Sequence, residues 1–113
     1  MAHEFSTAQW SATDTQVNAI ATATRAAVTN RQHYVTSLSF SANGAVAAAT
    51  TCELRSGSTV LARFQVPAAA FAPVPINFDA PIACARGEAA SLVLGALGAS
   101  ISGSVNLHGY STQ

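Results

Sequence analysis

From Ser100 to Tyr110 the side chains alternate without a break, with Ile101, Gly103, Val105 and Leu107 on one parity and Ser100, Ser102, Ser104, Asn106 and His108 on the other. That period is the one a half-buried strand imposes. A strand this long hides its apolar face only beside other strands and beneath a second layer, so the remaining segments have to supply both. Between His33 and Ala42 the same alternation places Tyr34, Leu38 and Phe40 opposite Ser37, Ser39 and Ser41, which predicts another strand. Asn43-Gly44 follows it. Both residues tolerate the positive φ of a type I′ turn, which predicts a hairpin into a partner strand from Ala45 to Arg55. Ser56-Gly57-Ser58 predicts a second turn, leading into a strand from Thr59 to Val66.

The stretch PAAAFAPVP after that strand holds three prolines in nine residues, too many for a ladder interior, and is expected to cross between sheets. Ile76 and Phe78 begin a short strand, Pro81 interrupts it, and Ile82 to Ala85 form an edge strand before an Arg86-Gly87 turn. Ser91 to Leu97 is almost wholly apolar, with Leu92 and Leu94 facing one way and Val93 and Leu97 the other, as in a strand covered on both faces. Gly98 turns the chain into the final strand. Earlier, Val17 to Val28 mixes β-branched residues with alanines; a helix competes here, and the threonine alternation favours a strand. About eight short strands, frequent turn signals and no convincing helix predict an all-β antiparallel sandwich of the jelly-roll type. The sandwich is expected to span residues 17–113 as one domain. Residues 1–16 are polar and carry Phe5 and Trp10, and are expected to form an extended N-terminal arm. The two aromatics either cap the chain's own core or order the arm against a partner; the second is favoured, which makes Phe5 and Trp10 the candidate partner-binding residues.

Composition narrows the function classes. The basic residues are five arginines, matched by five acids, so no basic face is available to neutralise a row of phosphates, and nucleic acid is not an expected partner. No apolar run reaches the roughly 20 residues that cross a bilayer as a helix, and no membrane partner is expected. A formal charge of zero gives little electrostatic protection against self-association, and with the two-faced stretch at Ser91 to Leu97 it points to a homo-oligomer, a trimer ahead of a dimer. Alanine fills 25 positions, a bias expected of a GC-rich genome as much as of physics. Cys52 and Cys84 lack CxxC or ligand-rich spacing, so neither zinc nor any other cofactor is expected. Free, buried thiols are favoured over a disulfide.

Candidate chemistry is sparse. His3, His33 and His108 have no acid or second histidine at a ligand spacing. Ser100 and Ser102 belong to no nucleophile elbow. Asp79 and Glu88 flank one short edge strand and could approach as a glycosidase pair, but acids beside turns are usually solvated. Gly95, Gly98 and Gly103 open no helix and cradle no phosphate. An enzyme is not expected.

Four stretches carry a resemblance: NRQHYVTSLSFSANGA, RSGSTVLARFQVP, INFDAPIACARGEAASLVL and ASISGSVNLHGYS. In order and spacing they resemble a family of small phage and prophage virion proteins. In that family an Arg-His-Tyr strand start precedes a serine-rich strand, a DGST-like turn leads to a strand ending at proline, and the chain closes on an N-x-x-GY signature. The likeness runs from about Asn30 to Ser111. It departs where Arg55-Ser56-Gly57 replaces the usual Asp-Gly turn and where Gln32 separates Arg31 from His33. The resemblance implies a jelly-roll decoration or cement protein, made in the cytoplasm of the host bacterium, that binds the major capsid protein lattice from outside as an oligomer and stabilises the shell. The competing class is a carbohydrate-binding head of a phage fibre or a similar lectin-like module, since sandwiches bind sugars through loop aromatics and acids.

Overall fold

A computed structural model of the chain describes residues 8–112, and these build a β-sandwich. The strands are β1 (Ala8–Val17), β2 (Ala21–Arg25), β3 (Gln32–Ala42), β4 (Thr50–Ser56), β5 (Thr59–Val66), β6 (Val74–Ala83), β7 (Ala90–Leu94) and β8 (Ser102–Thr112), with no helix among the described residues. A first sheet runs β1-β8-β3-β6 and a second β2-β7-β4-β5, antiparallel throughout. Only the β4–β5 hairpin stays within one sheet, and every other connection crosses to the opposite one. This is the jelly-roll order.

The alternation at the C-terminus places β8 as expected, between β1 and β3, with Val105 and Leu107 in the core. From the second sheet, Leu54, Leu92 and Leu94 meet them. The Ser56–Thr59 turn closes the β4–β5 hairpin through Gly57, whose φ of 59° suits glycine. The proline stretch after Val66 crosses between sheets, and Phe71 within it packs against Phe40 with ring centroids 6.1 Å apart. Prolines 75 and 81 nevertheless lie inside β6, a position open to them because β6 is an edge strand. The two short strands expected there are one.

Four expectations are corrected. Asn43-Gly44 makes no hairpin, because β3 and β4 belong to different sheets. Asn43 instead accepts the N–H of Ser102 on Oδ1 (2.9 Å) and donates its own N–H to the Ser102 carbonyl (3.1 Å), which fastens the crossing segment to β8. Leu97 turns into the core beyond the end of β7 instead of facing outward with Val93, so the stretch from Ser91 is not apolar on two covered faces. The single strand expected between Val17 and Val28 shrinks to β2.

The fourth concerns the arm. Residues 8–16 form most of β1, paired along its length with β8, so the expected boundary between arm and sandwich at residue 17 falls within the first sheet. The physical reason is Trp10, which contributes to the core at 9% exposure, where the arm reading had it reaching outward. Phe5 and His3 lie outside the described residues.

Candidate functional site on the first sheet

Tyr34 faces outward although Leu38 and Phe40, of the same parity, face inward. A β-bulge causes the switch. Val35 pairs with Gly109 and Ser37 with His108, leaving Thr36 as an extra residue on β3, and one extra residue reverses the facing of everything beyond it. Tyr34 therefore stands opposite Tyr110 on the outer face, where their rings stack at 5.0 Å with 12° between planes. Tyr34 donates its hydroxyl to Gln32 Oε1 at 3.2 Å.

The cross-strand rows of this face follow from register. Gln9, Tyr110 and Tyr34 form one; Ser11, His108 and Ser37 the next; then Thr13, Asn106 and Ser39; then Thr15, Ser104 and Ser41. With histidine neutral, none of these carries a charge. Asn106 donates to Ser39 Oγ at 3.1 Å, and the hydroxyls of Thr15 and Ser104 lie 2.9 Å apart. At the bulge the face opens into a groove of about 460 Å³, lined by Gln9, Trp10, Ser11, Thr36, His108, Gly109 and Tyr110.

The floor of the groove is held from beneath. Trp10 pairs with Gly109 across the ladder, and a Cβ on Gly109 would collide with the Tyr34 carbonyl and come within 2.7 Å of the indole. The indole N–H donates to Ser111 Oγ (3.0 Å), which lies 2.6 Å from His33 Nδ1, while His33 Nε2 lies 2.9 Å from the Ala26 carbonyl. A carbonyl can only accept, so Nε2 carries the hydrogen and Nδ1 accepts from Ser111. Every polar group in this buried chain is then satisfied. The indole also meets the imidazole edge-on at 5.7 Å. The serine–histidine pair resembles a nucleophile and its base, but both residues have 0% exposure, and a nucleophile must be reachable.

The remaining candidates are dispersed. His108 is exposed on β8, at the groove. Asp79 is exposed on β6, and Glu88 accepts from Ser56 at 3.3 Å beside the second sheet. Ser102 faces outward on β8, and Ser100 occupies the preceding turn at φ 64°. No group of three metal-ligating side chains occurs among the described residues. Cys52 and Cys84 are free and buried; burial, with the Glu53 charge beside it, pushes the Cys52 thiol up to about 12, and burial also raises that of Cys84.

Charge collects on the opposite sheet. Glu53 lies between Arg55 (2.5 Å) and Arg63 (2.7 Å), and their hydrogen bonds hold its carboxyl below the usual range. Asp14, at the open edge, accepts the N–H of Thr22 at 3.0 Å; that bond, with one from Gln16, lowers its pKa and ties β1 to β2.

No family model and no curated protein matches this chain. Among solved structures it is similar to a carbohydrate-binding module, CBM36, in complex with calcium and xylotriose, with 14% identity, a TM-score of 0.47, and coverage of 85% of this chain and 77% of that one.

Sequence reasoning singled out Trp10 for exposure and His108 only as a metal candidate. It missed Gln9, Ser11, Thr36 and the stacked tyrosines as a group. The outward parity of Tyr110 was readable beside His108. The bulge that brings Tyr34 to the same face has no local signal.

Proposed function

We propose that this chain is a non-enzymatic structural component of a phage particle, a decoration or cement protein that attaches to the outside of the capsid lattice as a homo-oligomer, with a trimer ahead of a dimer. One observation supports the reading more than any other. The strand start Arg31-Gln32-His33-Tyr34 and the closing Asn106-x-x-Gly109-Tyr110, which carry much of the virion-protein resemblance, lie 72 residues apart in sequence (Asn106 minus Tyr34) yet run side by side in the sheet. They pair at Tyr34–Tyr110 and His33–Ser111. Tyr34 and Tyr110, one from each motif, also stack on the outer face of the sheet. Trp10 no longer supports lattice contact, since it is committed to the core, and with Leu97 turned inward the oligomer is supported by the zero formal charge alone. Phe5 remains the candidate contact.

Purified protein should co-sediment with capsids that lack it, and a variant lacking residues 1–7 should fold, by circular dichroism, but lose most of that binding. Equal binding by both forms moves the contact to the sandwich; no binding by the full chain refutes lattice attachment.

A second reading, a carbohydrate-binding module, is supported by the uncharged groove walled by Tyr110 on the first sheet. The two are compatible in one particle protein if different surfaces serve them.

A further inference from the structure

We infer that the groove over Trp10 and Gly109 binds a neutral oligosaccharide, with Tyr110 as the stacking platform and Gln9, Ser11, Thr36 and His108 as the polar contacts. This deepens the carbohydrate reading and rests on it.

The lining carries the inference. A sugar ring presents hydroxyls that both donate and accept around its rim and C–H groups on its faces, so its site needs neutral two-way hydrogen-bonding groups beside an aromatic plane. The groove supplies an amide at Gln9, hydroxyls at Ser11 and Thr36, an imidazole at His108 and the ring of Tyr110. Tyr34 covers one face of that ring from the β3 side. On the β1 side Tyr110 pairs across the ladder with Gln9, and the half-buried ring lines the groove there.

Charge argues against other small ligands. Arg55 and Arg63 are engaged by Glu53 on the second sheet, Arg86 donates to the Asn30 carbonyl, and Asp14 is turned toward Thr22. Among the described residues no arginine or carboxylate lines the groove, so there neither a phosphate nor a metal ion finds a counter-charge.

The site is also held in shape before any ligand arrives. Tyr110 is stacked, Trp10 is fixed through Ser111 to His33, and Thr36 donates its hydroxyl to the His108 carbonyl at 3.2 Å. Groups already ordered lose little freedom on binding, which lowers the cost that weakens most flexible sugar sites. A volume of about 460 Å³ falls within the usual range for small-ligand sites, roughly 300–1,000 Å³.

The test uses the full-length protein on an array of neutral oligosaccharides, including β-1,4-linked trimers of glucose, xylose and N-acetylglucosamine, with sialylated and sulfated glycans alongside. Titration calorimetry follows with the strongest neutral binder. Binding to a neutral oligosaccharide is expected, and raising salt from about 0.05 to about 0.5 M should leave it unchanged, since no ion pair contributes. Gln9→Ala and Tyr110→Ala should each weaken it about tenfold or more, while Arg63→Ala on the opposite sheet leaves it intact. Gln9 is exposed, so its variant keeps the site testable if Tyr110→Ala fails to fold. Binding that survives both groove variants overturns this site and leaves the carbohydrate reading standing. Binding to no neutral glycan, or to acidic glycans alone, overturns both.

Discussion

The His33–Ser111–Trp10 chain shows how a residue's role depends on partners that sequence distance conceals. Trp10 finds Gly109 and Ser111 about a hundred positions away, so its polar surroundings between residues 1 and 16 favoured an arm over the core position it takes. Gly109 is glycine because the Tyr34 carbonyl and the indole occupy the space a methyl group would need. Two substitutions test this. Gly109→Ala should destabilise the fold by about 1–3 kcal/mol through overpacking. Ser111→Ala should cost about 1–3 kcal/mol, because it strands both the indole N–H and the His33 ring nitrogen in the interior. Urea denaturation measures both. A loss below about 0.5 kcal/mol for Ser111→Ala would show that the buried network contributes little.

At the scale of elements, alternation was readable wherever one strand stayed in register, as in β8; in β5 a bulge at Leu61 leaves Val60 exposed and turns Leu61 onto the core. It misled where register or destination changed. The bulge at Thr36 flips Tyr34 relative to Leu38, and Asn43-Gly44 has the residues of a hairpin although their hydrogen bonds go to Ser102 on β8. Local turn chemistry cannot tell a return within a sheet from a crossing between sheets, since that choice is made by which face the next apolar run must cover. The groove belongs to this illegible part, because it depends on the bulge.

The second sheet makes a pH prediction. Glu53 is held below its ordinary value of 4.5 by Arg55 and Arg63. A carboxyl lowered on folding contributes stability that is fully present above the unfolded value and is lost as pH falls through the folded one. The stability difference between the native chain and Glu53→Gln should therefore be constant from neutral pH to about 5 and shrink below that. Denaturation midpoints from pH 7 to about 3 give the measurement; a difference independent of pH would mean the carboxylate charge is not what these arginines read. Asp14, lowered by the Thr22 amide, adds to the same acid limb and remains in the variant.

For the whole molecule, an all-β sandwich of the jelly-roll type was legible from alternation and turn signals, although the expected strands split β6 in two and omitted β1, whose pairing is with the far end of the chain. The jelly roll by itself serves many functions, so the proposal of a particle protein stands on paired motifs and on surfaces: one sheet face neutral and tyrosine-bearing, the other ion-paired. Its most direct test is electron cryomicroscopy of particles purified from the organism whose genome encodes this chain. Multiple copies of the eight-stranded sandwich should stand on the outer capsid surface, grouped in threes, with the chain present among the particle's proteins. Capsids bare of this fold, from particles in which the protein is absent by mass spectrometry although the gene is expressed, would contradict it.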